Sequence, residues 1–183
     1  MSRLLIRTAS QLEPITLEAL EVVRNNGELA DIYLQFANSE PALRAYLHME
    51  ASVRDGSLAP AEVEAVKLWV SEQTGCEFCL AVHGVKARQA GLSRQQQVDI
   101  RTAGRIEPGS MQNTEIDGER INGLLSIARG IFNDRGSLDD QALETARTAG
   151  LTDENLVDLT MVVSTIFFTN ITNHINDTRL PTA

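Results

Sequence analysis

Apolar residues along this chain recur at intervals of three and four, and alternation at intervals of two is scarce. That pattern predicts an all-α fold. Leu17, Leu20 and Val23 share one face between Thr16 and Arg24. A second helix is expected over Glu28 to Ala37, where Asn38-Ser39-Glu40-Pro41 breaks it. A third runs from Pro41 to Val53 with Leu43, Tyr46 and Leu47 inward, and Asp55-Gly56-Ser57 stops it. Pro60 suits the first position of the next helix, because its missing N–H would be unpaired there anyway. Glu62 falls in that first turn, Val63, Val66 and Val70 form an apolar stripe, and Gly75 is the expected stop.

The following helix runs from Cys76 to Gln89 and ends at Gly91. Ser93 and Gln96 have the spacing of a capping box for another. Arg105 to Asp117 contains Pro108, Gly109 and Ser110 and few large apolar side chains, and reads as a loop. Ile121, Leu124, Leu125, Ala128 and Ile131 mark an amphipathic helix. A short helix covers Leu138 to Thr148, and Thr152 caps a long last one that runs to Asp177. The middle of that last helix is apolar almost all round, which places it at the centre of the fold or of an oligomer. No repeat, linker or low-complexity tract divides the chain, so residues 1–183 read as a single domain.

The chain has 183 residues, 43% of them hydrophobic, enough for a real core. Its net charge of -9, from 25 acidic and 16 basic residues, speaks against nucleic acid or an anionic membrane as a partner. Arg3 and Arg7 flank Leu4-Leu5-Ile6, but no long apolar run follows as a secretory signal would require. The most apolar stretch, Met161 to Ile171, is interrupted by Ser164, Thr165, Thr169 and Asn170. It is shorter than the roughly 20 residues of a membrane span. The expectation is a cytoplasmic protein. There a lone Cys-x-x-Cys pair reads as redox-active or metal-binding rather than as a permanent staple.

The chain's two cysteines supply that pair, in Cys76-Glu77-Phe78-Cys79-Leu80-Ala81-Val82-His83. On a helix, Cys76 and Cys79 stand about 60° apart and His83 within about 20° of Cys76. All three then share one face, and His83 lies one turn from Cys79. Cysteines three apart on a helix can close a disulfide. The thiolate is the reactive form. A helix N-terminus favours it at Cys76, whereas an adjacent imidazole favours it at Cys79. These two effects nominate different nucleophiles, and the sequence leaves the choice open. Glu64, twelve residues before Cys76, reads on spacing alone as a solvated side chain. An antiparallel helix pair about Gly75 would instead bring it to His83 as a proton carrier.

Three rival readings use the same residues. Cys76, Cys79, His83 and Glu64 count as four metal ligands, although structural zinc sites are usually built from two separated pairs. Two buried, inert cysteines are the plainest alternative. A c-type haem site is excluded because residue 80 is leucine rather than histidine. His48, within Tyr46-Leu47-His48-Met49, is expected to be a core histidine, and Trp69 a core residue. His174 sits at the polar end of the last helix, where it either lines a pocket or complements the helix dipole.

Leu58 to Ser93, LAPAEVEAVKLWVSEQTGCEFCLAVHGVKARQAGLS, resembles the carboxymuconolactone decarboxylase superfamily in its AhpD-like alkylhydroperoxidase branch. Glu64, Cys76, Cys79, His83 and Gly91-Leu92 fit its pattern in order. The resemblance implies an all-α, AhpD-like helical bundle that assembles as a homo-oligomer, often a trimer or hexamer. It also implies a thiol peroxidase or disulfide reductase site; no resident metal or cofactor is expected. Cys79 would attack a hydroperoxide and Cys76 would resolve the sulfenic acid as a disulfide. Glu64 and His83 would relay the proton through a water, and a thiol or disulfide reductant would restore the dithiol. The alternative is a redox-sensing or disulfide-reducing oligomer without efficient peroxide turnover. Two departures stand out. Phe78 occupies a position where some AhpD-like enzymes carry histidine, and Ala59 stands where a capping serine would suit the helix better. Decarboxylase members lack the cysteine pair.

Overall fold

The computed structural model describes residues 2–24, 29–111 and 116–180. Those residues form α-helices, short 3-10 turns and loops, with no strand among them. The helices are α1 (Pro14–Leu20), α2 (Asp31–Phe36), α3 (Glu40–Asp55), α4 (Pro60–Thr74), α5 (Glu77–Gln89), α6 (Arg94–Ala103), α7 (Gly118–Asp134), α8 (Asp140–Thr148) and α9 (Asp153–Asn176). The expected start of the second helix at Glu28 lies outside the described residues, as do residues 112–115 of the expected loop. The described part of that loop contains only a short turn, Pro108–Ser110.

α4 is the centre of the bundle. It packs on α5, α6, α7 and α9, and every residue from Ala61 to Ser71 is buried. The expected Val63–Val66–Val70 stripe therefore understates it, because four neighbours leave no solvent face. Charged residues are accommodated there by pairing, as buried charge requires. Arg120 on α7 holds Glu62 at 2.6 Å, and Glu62 also accepts the Ala59 N–H at 2.8 Å. This second bond caps α4 without a serine at residue 59.

α9, expected at the centre of the fold or of an oligomer, is covered only in part within the chain. It spans 24 residues, and an 18-residue stretch of it has mean hydropathy 1.3, long and apolar enough to cross a membrane, with 44% of that stretch buried in the protein. One face packs on α3, α4, α5 and α7. The opposite side leaves Val157, Phe167, Phe168, Ile171 and Ile175 exposed. A smaller apolar cluster of Leu12, Leu20, Phe36, Ala37, Leu43 and Leu47 joins the first helices. Phe168 carries that cluster onto α9 through ring contacts with Phe36 and Tyr46, at 5.4 and 5.6 Å between centroids.

Candidate active site

The α4–α5 junction places the cysteines. Gly75 adopts a left-handed conformation (φ 71°, ψ 26°), which glycine enters without Cβ strain. Its N–H donates to the Glu72 carbonyl, and the Cys76 N–H donates to the Ser71 carbonyl, both at 3.0 Å. This is the Schellman pattern that closes a helix. Cys76 is then also the N-cap of α5, whose first residue is Glu77. One residue thus ends α4 and begins α5, so the pair turns back sharply with Cys76 at its corner. The expected helix start at Cys76 moves by one position, and its thiol faces the first turn.

Both thiols are free and buried, each residue 3% exposed. Their acidities are driven apart. The Cys79 S–H donates towards Cys76 and lowers the Cys76 pKa to about 6. Burial opposes that shift, and the Cys79 backbone N–H, the charge of His174 and the Asn173 amide assist it. Cys79 is pushed up, first because its proton is held by Cys76, then by burial and by the charge on Cys76. The helix N-terminus and the shared proton therefore favour thiolate at Cys76 and thiol at Cys79. Cys76, though buried, also borders a cleft at the start of α5. It lines this cleft, of about 170 Å³, with Phe78, Asn173 and His174, and Cys79 is not among the cleft's lining residues.

Behind the thiols, His83 on α5 and Glu64 on α4 face each other, with His83 Nδ1 2.7 Å from Glu64 Oε2. Both residues are buried, so the reading of Glu64 as a solvated side chain is corrected. The antiparallel pairing of α4 and α5 turns it inward. The carboxylate accepts from Nδ1, which leaves the Nε2 lone pair free to take a proton. Burial keeps the His83 pKa below its ordinary value, against the Glu64 hydrogen bond, which pulls it up. The imidazole is thus held neutral, as a proton acceptor must be.

A further polar group extends this side. Lys67 is buried on α4, and its Nζ lies 2.9 and 3.0 Å from the two oxygens of Glu50 on α3. Burial opposes ionisation of Glu50, but the charge and hydrogen bond of Lys67 outweigh it and leave its pKa below the usual range. Tyr46 is shifted upward by burial, then by Glu50. Tyr46, Glu50, Glu64, Lys67 and Lys86 line a cavity of about 300 Å³. Sequence reasoning missed Lys67, Glu50 and Asn173. A lysine amid Val66, Leu68 and Trp69 was the available signal for the first.

Among the described residues, no group of three or more His, Cys, Asp or Glu side chains is arranged to hold a metal ion. The four candidate residues form two pairs instead of one cluster. His48 is exposed on α3, which corrects its reading as a core histidine. Its neighbour Leu47 takes the inward position. His174 is exposed too, and its Nε2 lies 2.9 Å from the Thr74 carbonyl, at the rim of the Cys76 cleft. Trp69 is buried as expected.

The model of the carboxymuconolactone decarboxylase family matches residues 40–111. That match covers less than half of the chain. Glu50, Glu64, Lys67, Cys76, Cys79 and His83 lie within it; Asn173 and His174 do not. A search of curated proteins gave no match. Solved structures share the fold over nearly the whole chain. One is an alkylhydroperoxidase AhpD core structure, an uncharacterized peroxidase-related protein from Ralstonia eutropha JMP134 (TM-score 0.79, 19% identity, 98% of this chain and 92% of that one). Another is an uncharacterized peroxidase-related protein from Silicibacter sp. TM1040 (TM-score 0.76, 20% identity, 97% and 91%). A third is a variant of the debrominase Bmp8 in complex with 2,3,4-tribromopyrrole (TM-score 0.68, 16% identity, 99% and 94%). At these identities the likeness is one of fold: an AhpD-like all-α protein.

Proposed function

We propose that this protein is a dithiol oxidoreductase that reduces a hydroperoxide through a Cys76–Cys79 disulfide. The carrying observation is the thiol pair at the shared end of α4 and α5, backed on the same helix pair by the buried Glu64–His83 couple. The geometry favours Cys76 as the attacking thiolate, because it caps α5, has the lowered pKa and lines the cleft. The family resemblance reads the order the other way, with Cys79 attacking. We favour Cys76 because a thiol with a raised pKa that does not line the cleft is poorly placed to meet substrate first.

The Cys76 thiolate attacks the terminal peroxide oxygen. An S–O bond forms, the O–O bond breaks, and the alkoxide leaves and takes up the proton that Cys76 released on ionisation. Cys79 then attacks the sulfur of the sulfenic acid. Its proton joins the departing hydroxide as water, with His83 as the carrier and Glu64 holding His83 in the required tautomer. Two electrons pass from the dithiol to the peroxide. An external thiol or a partner disulfide reductase returns them. A reducing compartment, the cytoplasm, suits that cycle.

A second reading has its own support. A low-pKa N-cap thiolate at a cleft is also the arrangement for exchange with a partner's disulfide. Phe78 at the cleft wall supplies no proton to a peroxide. The fold is shared with a debrominase as well, so fold alone does not select the oxidant. Single-turnover peroxide consumption separates these readings. Reduced protein should consume one equivalent of an organic hydroperoxide and lose both thiols. Cys79→Ser should still consume one equivalent and stop at the sulfenic acid, and Cys76→Ser should consume almost none. The reverse pattern would restore Cys79 as the nucleophile. Free thiols that survive peroxide but exchange with a disulfide would establish the second reading.

We also propose a homo-oligomer assembled through α9. Val157, Ser164, Ile171 and Ile175 lie on the exposed side of that helix at successive spacings of seven, seven and four, as in a helix–helix seam.

A further inference from the structure

Three asparagines, Asn170, Asn173 and Asn176, follow one another on the buried side of α9. Two have both ends of the amide engaged. Asn170 accepts from the Thr74 hydroxyl at 2.9 Å and donates to Ser71 Oγ at 3.3 Å. Asn176 accepts from Ser2 Oγ at 2.7 Å and the Leu4 N–H at 2.8 Å, and donates to Gln35 at 2.8 Å and Thr178 at 2.9 Å. Asn173 is different. Its Nδ2 donates to Cys79 Sγ at 3.3 Å and reaches Cys76 Sγ at 4.0 Å. Its Oδ1 is buried with no hydrogen-bond partner, in a residue only 4% exposed. Buried amide oxygens are rarely left unpaired, and one that is calls for a partner such as a water, an ion or a reacting group.

Asn173 also lines the Cys76 cleft, beside Phe78 and His174. At about 170 Å³, the cleft admits a peroxide group and a few carbon atoms. A hydroperoxide entering there carries one hydrogen-bond donor, its terminal O–H, on the oxygen that the thiolate attacks.

We propose that Asn173 contacts the substrate, its Oδ1 accepting the terminal O–H of a hydroperoxide while its Nδ2–H holds the sulfur face. This rests on the dithiol peroxidase reading above and deepens it. Attack forms the Cys76 S–O bond and expels the alkoxide, and the hydrogen bond stays on the hydroxyl that becomes the sulfenic acid. The amide thus orients the attacked oxygen towards the sulfur without itself gaining or losing a proton. The site then selects oxidants with a terminal O–H. Dialkyl peroxides and disulfides, which lack it, gain only the Nδ2 contact with the sulfurs, which every oxidant shares.

The test compares two oxidants on the same reduced protein. Single-turnover thiol loss is followed with tert-butyl hydroperoxide and with dimethyl disulfide, for wild type, Asn173→Leu and Asn173→Ala. The ratio of the two rates cancels any loss of folded protein. Both variants should lower that ratio by about tenfold, the effect of one lost hydrogen bond to a reacting group. An unchanged ratio, with wild type active on the hydroperoxide, would overturn the role of Asn173 alone. A wild type that reacts with the disulfide but not with the hydroperoxide would overturn this inference together with the peroxidase reading.

Discussion

His83 Nδ1 and Glu64 Oε2 meet at 2.7 Å from two different helices, with only 9% and 11% of their side chains exposed. The hydrogen bond fixes the imidazole tautomer and supports the positive charge that would form when Nε2 takes a proton. Glu64→Gln keeps an acceptor for Nδ1–H but removes the negative charge. Peroxide turnover should fall by about a hundredfold, within the usual range for general acid–base groups. Burial already holds the His83 pKa down, and Glu64 is the group that raises it. Removing that charge lowers the His83 pKa further. The acid limb of the pH–rate profile, where His83 becomes protonated, should therefore move to lower pH. Steady-state peroxide consumption across the pH range checks both outcomes.

Cys76 and Cys79 share a proton, and that sharing lowers the Cys76 pKa to about 6. Reduced protein should thus alkylate first at Cys76, with a rate that rises through a midpoint near pH 6. The Cys79 S–H is the largest cause of the shift. Cys79→Ala removes it, and the midpoint should climb towards the ordinary thiol value of about 8.5. Iodoacetamide rates against pH, with the modified residue located by peptide mass, decide it. A midpoint unmoved by Cys79→Ala would place the cause in the helix end instead.

The α4–α5 unit was the most legible part of the sequence. Pro60, Glu62, Gly75 and the Cys-x-x-Cys spacing are local signals, and each sits at a helix boundary that the structure keeps within a residue. The capping box at Ser93 and Gln96 and the Thr152 cap stand as read. What was illegible depended on which neighbour covers which face. α4 is buried all round although its sequence shows only a stripe, because the ion pairs of Glu62 and Lys67 remove charge that periodicity reads as a surface. α9 shows the reverse, apolar all round yet exposed on one side. Asn173 carried no signal, since an asparagine near a helix end reads as polar surface and its sulfur contacts span about 95 residues of chain.

Lys67 and Glu50 form an ion pair in which the lysine side chain is 3% exposed and the glutamate side chain 27%. Removing one partner of such a pair strands the other. Lys67→Met should destabilise the protein by about 2–3 kcal/mol, below the full cost of a stranded buried charge because Glu50 keeps some solvent. The double variant Lys67→Met/Glu50→Gln should recover most of that loss. The folded pKa of Glu50 is depressed. The stability it contributes is present above its unfolded value of about 4.3 and is lost as pH falls through the folded value. Urea midpoints for wild type and both variants, at neutral pH and below pH 4, measure each step. The wild-type advantage over the double variant should shrink in acid.

The apolar row on α9 leads to the last prediction. Val157 is 70% exposed and Ile175 57%, with Ile171 at 39% between Ile175 and Phe168. Apolar side chains repeating at three and four along one exposed helix face gain by burial against a matching surface. Each large aliphatic covered there contributes roughly 1.5–3 kcal/mol relative to exposure. Ile171→Asp/Ile175→Asp should therefore dissociate the assembly, because it places two carboxylates in a dry seam. The fold should survive, since neither side chain belongs to the buried core of its own chain. Sedimentation velocity should show the wild type larger than a monomer and the double variant monomeric, with equal helical circular dichroism. A wild type that sediments as a monomer at micromolar concentration would remove α9 as an interface between copies and leave the exposed row to a different partner.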